Sequence, residues 1–173
     1  MTGGGVDWRK LVRDVPDFPS PGILFKDIAP VLADAAALAA LTAELVEVCR
    51  GEPVDMVVAV EARGFILGAP VALALGAGFV PVRKPGKLPH LTRSVAYALE
   101  YGEAVLHMHL DALAPGDRVL FVVDVLATCG TLFAAAQLVR EAGATPVAAA
   151  VLLEIGALGG RAALAPLPLH ILL

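Results

Sequence analysis

Short runs of uncharged, largely β-branched residues alternate along this chain with segments of helical periodicity, and that alternation narrows the choice of fold. Val57 to Val60, Phe79 to Val82, Val119 to Val123 and Val147 to Leu153 each read as a buried parallel strand. Leu38, Leu41, Leu45 and Val48 recur at helical spacing behind a candidate N-cap at Asp34, and Gly51 and Pro53 close that helix. Phe65 to Leu75 reads as a second helix and Thr131 to Ala142 as a third, ending at Gly143. Strand alternating with helix predicts an α/β fold whose parallel sheet is covered on both faces. Leu167 to Leu173 supplies a candidate last strand. Two stretches break the pattern. Asp14 to Pro30 is dense in Pro, Gly and Asp and reads as a loop. Arg83 to Asp111 is polar, lacks a helical core stripe and holds two strand-like runs about Tyr101-Gly102, which predicts an antiparallel excursion from the core.

With 173 residues, 58% of them hydrophobic and 17% charged, the chain can bury a core and is too apolar for disorder. A mean hydropathy of +0.77 raises the question of a membrane span. The longest uncharged run, Gly64 to Val82, is long enough, but it carries four glycines and two prolines. Its Ala-Leu-Gly-Ala-Gly stretch reads as a helix end followed by a new strand, so a buried helix–strand pair is expected and no membrane. A net charge of −4 offers no footprint for nucleic acid. Two cysteines, Cys49 and Cys129, make no disulfide framework, and MTGGGVDWRK contains no apolar leader; a cytoplasmic location is expected. Cys49 reads as a small core residue, and Trp8 as packing on the core or on a second subunit.

In open α/β sheets ligands gather beyond the carboxyl ends of the strands. Three junctions of that kind carry unusual chemistry. In VVDVLATCGT, Val122 to Thr131, a buried strand ends at Asp124 and runs through small and hydroxyl residues into a helix, whose first N–H groups form an anion site. The same residues also fit an ordinary capped strand–turn–helix. In EARGF, Glu61 to Phe65, Arg63 follows a strand directly. RKPGKLPH, Arg83 to His90, places three cations in five residues. Each cationic feature alone is compatible with a solvated charge; three at consecutive strand ends favour a polyphosphate ligand. His107 and His109 have the spacing of some metal sites, but Leu106, Met108 and Leu110 take the opposite parity, which predicts a solvated strand face.

These stretches, in this order, resemble the adenine phosphoribosyltransferases over nearly the whole chain. The resemblance is carried by DFPSPGILFKDIAPVLAD (Asp17 to Asp34), EARGF, VRKPGKLP, YALEYG (Tyr97 to Gly102), the Asp124 loop with Thr131, and LEIGALGGR (Leu153 to Arg161). It implies a type I phosphoribosyltransferase fold: one domain over residues 1–173, with a parallel sheet core flanked by helices, a small N-terminal hood mainly over 14–33 and a mobile flap over about 84–110. The implied reaction is purine salvage, in which 5-phosphoribosyl-1-pyrophosphate (PRPP) and adenine, with Mg²⁺, give AMP and pyrophosphate. A homodimer is implied as well.

By the same resemblance Ala127, Thr128, Cys129, Gly130 and Thr131 hold the ribose 5-phosphate. Asp124 binds the ribose hydroxyls, directly or through metal. Arg63, Arg83, Lys84 and Lys87 hold the pyrophosphate, and Leu24, Phe25 and Lys26 frame the adenine. Glu100 and Tyr101 sit on the flap, and Glu100 or Asp124 would stabilise the cationic sugar or manage the adenine proton. The chain departs from the family pattern twice: Val123 stands where the first of two adjacent acids is expected, and Cys129 replaces one of a glycine pair. Those departures keep open a weakly active or non-catalytic nucleotide or PRPP binder, and because base choice would rest largely on backbone contacts near Phe25, transfer to another purine base stays open as well.

Overall fold

The computed structural model describes residues 6–18, 20–51, 53–98, 102–126, 130–155 and 164–173. The chain divides into two compact units, Met1–Glu44 and Leu45–Leu173.

In the first unit a 3-10 turn, Trp8–Leu11, precedes the antiparallel pair β1 (Arg13–Pro16) and β2 (Leu24–Asp27). The expected loop over residues 14–30 is therefore a hairpin. Its charges misled the sequence reading because they are cross-strand partners: Asp14 lies opposite Lys26 and Arg13 opposite Asp27, and both pairs form ion pairs. A short helix α1 (Ala29–Ala33) leads into α2 (Ala35–Glu47), whose start is capped as expected by Asp34, its Oδ1 accepting from Ala37 N at 2.8 Å. Trp8 is buried, donates from Nε1 to Glu44 Oε2 at 2.8 Å and lies under the Arg9 guanidinium.

The second unit is built on five parallel strands, β3 (Met56–Val60), β4 (Gly78–Val82), β7 (Arg118–Leu126), β8 (Thr145–Glu154) and β9 (Leu169–Ile171), in the order β4-β3-β7-β8-β9. Helix α3 (Arg63–Leu75) connects β3 to β4, and α4 (Gly130–Glu141) lies between β7 and β8. The predicted excursion is the antiparallel pair β5 (Thr92–Ala98) and β6 (Glu103–His109). Successive residues of β3 serve opposite faces of the sheet. Val58 joins a core with Val80, Phe121 and Val151, closed by Leu132, Ala135 and Leu138 of α4 and by Val95, Leu106 and Met108 of the hairpin. Ala59 faces α3, whose Gly64 and Gly68 bring the helix close enough that added Cβ atoms would lie 3.5 and 3.0 Å from the Ala59 methyl. The run suspected of spanning a membrane is thus α3 and β4, separated by Gly76 in the left-handed conformation at φ +67°. Among the described residues no helix is long and apolar enough to cross a membrane.

From β3 the chain winds outward to β4, then returns across β3 to β7 and winds the other way. The order reverses between β3 and β7, which is where open α/β sheets accept ligands. Pairing of these two strands runs from Met56↔Val119 only as far as Val58↔Phe121, whereas β3 stays paired with β4 up to Val60↔Val82. Beyond Val58 the two strands part.

Candidate active site

A cavity of about 460 Å³ opens where the strands separate, lined by Val60 to Gly64, Val122 to Leu126, Thr131 and Leu132. β7 continues to Leu126, so Asp124 stands two residues inside the strand rather than at its end as the sequence suggested. Its pairing with β8 extends the strand to Leu126↔Glu154. Within the cavity wall Asp124 Oδ2 meets Arg63 Nε at 2.7 Å, with the two side chains 22% and 38% exposed. A cation and an anion, both half-open to solvent, therefore face one space. Arg63 is the first residue of α3 and the peptide bond preceding Ala62 is cis.

Thr131, in the first turn of α4, lines the same cavity, and its hydroxyl donates to the Tyr97 hydroxyl of β5 at 3.3 Å. Gly130 lies so close to Tyr97 that an added Cβ would sit 3.1 Å from the ring. That contact ties the β5–β6 hairpin to the helix start that was expected to bind phosphate.

Arg83 and Lys87 connect to the cavity through an acid. Arg83 and Lys87 are not among its lining residues. Arg83 Nε donates to Glu61 Oε2 at 2.7 Å and Lys87 Nζ to Glu61 Oε1 at 3.1 Å, while Lys84 is exposed. Burial pushes the Glu61 carboxyl up, but the hydrogen bonds from Arg83 and Lys87 outweigh it and hold the group below its ordinary range. Reasoning from sequence gave Glu61 no task, although it opens the same motif as Arg63.

The base-site candidates Leu24, Phe25 and Lys26 all lie on β2 of the first unit. Phe25 packs edge-on against Phe18 with centroids 5.1 Å apart, and Leu24 is 53% exposed. Ala127, Thr128, Cys129, Glu100 and Tyr101 fall outside the described residues. His107 and His109 are half-buried, not solvated as expected: β6 packs on β4 and α4, the backbone of His107 bridges that of Arg83, and His107 Nδ1 bonds the Thr92 hydroxyl at 2.9 Å. Among the described residues no group of three or more His, Cys, Asp or Glu side chains is placed to hold a metal ion.

Residues 26–162 match the phosphoribosyl transferase domain. The chain is 62% identical over 167 residues to an adenine phosphoribosyltransferase from a Nocardioides strain, covering 94% of this chain and 90% of that one. The chain belongs to the adenine phosphoribosyltransferase family. Among solved structures, the enzyme of that name from Thermoanaerobacter pseudethanolicus superposes with a TM-score of 0.91 at 47% identity, covering 94% of this chain and 95% of the other. The Saccharomyces cerevisiae enzyme, solved with an imino-altritol bisphosphate and adenine, gives 0.89 at 36% identity, with 96% of each chain covered. The five-stranded parallel sheet flanked by helices is accordingly the type I phosphoribosyltransferase fold.

Proposed function

We infer that this chain is a purine-salvage transferase that moves the 5-phosphoribosyl group of PRPP onto adenine, forming AMP and releasing pyrophosphate. The observation that carries the site assignment is the Arg63–Asp124 pair, 2.7 Å apart, in a cavity at the sheet's switch point. The C1–O bond to pyrophosphate breaks, the adenine N9–C1 bond forms, and the N9 proton passes to a carboxylate, Glu100 or Asp124. Charge grows on the departing diphosphate while the ribose turns cationic, so cations on one side and a carboxylate on the other lower the barrier.

In this reading Asp124 holds the ribose hydroxyls and faces the cationic sugar. Arg63 leaves Asp124 for the diphosphate when substrate enters, and Arg83, Lys84 and Lys87 add positive charge on that side. The loop Ala127 to Thr131 takes the 5-phosphate. Leu24, Phe25 and Lys26 frame adenine. Glu100 and Tyr101, on the segment joining β5 to β6, close over the site and exclude water, which would otherwise hydrolyse the activated sugar. A dimer of two copies in the cytoplasm belongs to the same reading.

Mg²⁺ fits this donor set as an ion carried in by PRPP. A magnesium ion that keeps its waters and substrate oxygens needs only one or two carboxylates. Asp124 supplies one that would reach the ion indirectly, through the ribose or a water, and no cluster among the described residues forms a cage of protein ligands. Bound there, the ion would neutralise charge on the diphosphate. Val123 in place of a second acid lowers the carboxylate count beside the ribose.

The test is incubation with PRPP, Mg²⁺ and each of adenine, hypoxanthine and guanine, with products separated by chromatography. AMP and pyrophosphate from adenine are expected. Turnover with hypoxanthine or guanine alone would move the assignment to another base, and binding of PRPP without any product would make the chain a sensor. Light scattering on the purified protein tests the dimer.

A further inference from the structure

We propose that Glu61 is a positioning residue for the diphosphate of the substrate, holding Arg83 and Lys87 in place beside the cavity; the proposal rests on the phosphoribosyl-transfer reading above. Glu61 follows β3 directly, its side chain is only 7% exposed, and it lines the cavity. A carboxylate at that depth is costly unless it is paired and hydrogen-bonded. Here each oxygen serves a different cation, Oε2 the Arg83 guanidinium and Oε1 the Lys87 ammonium.

The three residues form a closed ring. Arg83 Nη1 donates to the carbonyl of Lys87 at 3.2 Å, and Lys87 returns its ammonium to Glu61. The turn is made possible by Gly86, at φ +77°. The Arg83 backbone is fixed separately, exchanging two hydrogen bonds with His107 of β6 at 2.9 and 2.7 Å. Arg83 and Lys87 nevertheless keep 33% and 49% of their side-chain surface open.

Charge and donor counts make this ring suited to an anion. One carboxylate against two cations leaves a net positive charge, and a guanidinium with an ammonium carries more N–H donors than one carboxylate can accept. Glu61 thus orders two long side chains without cancelling their field. Restraint of that kind lowers the ordering cost when a diphosphate binds.

Glu61→Gln separates this role from a merely structural one. The amide keeps a single oxygen acceptor, so Arg83 retains its partner and Lys87 loses its own. The KM for PRPP should rise about tenfold, the scale of one charge-assisted hydrogen bond. The inhibition constant of pyrophosphate should rise by the same factor. The affinity for AMP, which lacks the diphosphate, should stay within about twofold. Combining Lys87→Met with E61Q should raise the KM by less than the product of the two single effects, because the residues are coupled.

An unchanged KM for PRPP, an equal loss of AMP affinity, or additive effects of the two substitutions would overturn the proposal. If E61Q does not fold, E61D preserves the charge but is one methylene too short to span both cations, and a rise of about threefold in the PRPP KM is expected; no rise overturns it. Failure of the unaltered protein to make AMP would instead overturn the reading beneath, a result distinct from an unchanged KM for PRPP in E61Q.

Discussion

Asp124 is the single side chain on which the proposed chemistry most depends. It is held in β7 by pairing on the β8 side, it faces the cavity, and it touches Arg63. In the proposed reaction, Asp124→Asn keeps the shape and removes the charge set against the cationic sugar. A fall of about 10- to 100-fold in kcat/KM for PRPP is expected, since a charge-assisted hydrogen bond is worth roughly 1.5–3 kcal/mol. Stability should change little, because the ion pair it breaks is partly exposed; a thermal melt beside the kinetics checks both halves. Its neighbour Val123 poses the opposite problem. Val123→Asp adds the second acid of the family pattern, which should lower the KM for PRPP. Yet Val123 is half-buried and packs on the core that α4 closes. Setting a carboxylate there costs roughly 1–3 kcal/mol or more in stability, so the variant should bind better and melt lower. A lower melting point with no gain in PRPP affinity would show that the single carboxylate suffices.

At the level of elements, α3 owes its position to close packing on β3 and β4. An alanine methyl at Gly68 would lie 2.9 Å from Phe79 Cε2 and 3.0 Å from the Ala59 Cβ. Neither neighbour gives way easily: Ala59 is buried backbone-adjacent carbon, and the Phe79 ring is seated edge-on against Phe65. Gly68→Ala would gain about 1 kcal/mol of helix propensity and lose roughly 1–3 kcal/mol to overpacking. A net loss is expected, read as a lower urea midpoint at unchanged slope. This packing also shows what the sequence could and could not reveal. The Leu38-Leu41-Leu45 spacing placed α2, and β9 was expected only within the longer run Leu167 to Leu173. The runs from Val57, Phe79, Val119 and Val147 placed β3, β4, β7 and β8, because burial on both faces leaves a local signature. Strand order depends on contacts between distant segments and left none. The β1–β2 hairpin was hidden because its charges look like loop composition until Asp14 and Lys26 are seen opposite one another. Glu61 was hidden for a related reason: an acid next to Arg63 reads as a solvated charge, and only the fold brings residues 83 and 87 back onto it.

Across the second unit, the candidate site and an ion-paired clamp occupy opposite ends of the sheet. The cavity lies at the carboxyl ends of β3 and β7, whereas their amino ends are clamped by Asp55 and Arg118. Arg118 donates to Asp55 through Nε at 2.8 Å, Nη2 at 2.7 Å and its own backbone N at 2.9 Å. The side-chain hydrogen bonds from Arg118, then the backbone one, lower the Asp55 pKa from 3.8 to about 2. A folded pKa below the unfolded one means that the clamp's contribution is complete above pH 3.8 and disappears as the pH falls through about 2. Glu61, and in the first unit Glu44, held chiefly by the hydrogen bond from Arg9, are lowered from 4.5 in the same direction. Below that pH the unfolded chain binds more protons than the folded one, so urea midpoints should decline steadily on acidification. Asp55→Asn should flatten the part of that decline between pH 3.8 and about 2, while leaving kcat and both KM values at neutral pH within about twofold, because the clamp faces away from the chemistry. A slope identical to that of the unaltered protein would mean that the clamp survives in the unfolded chain.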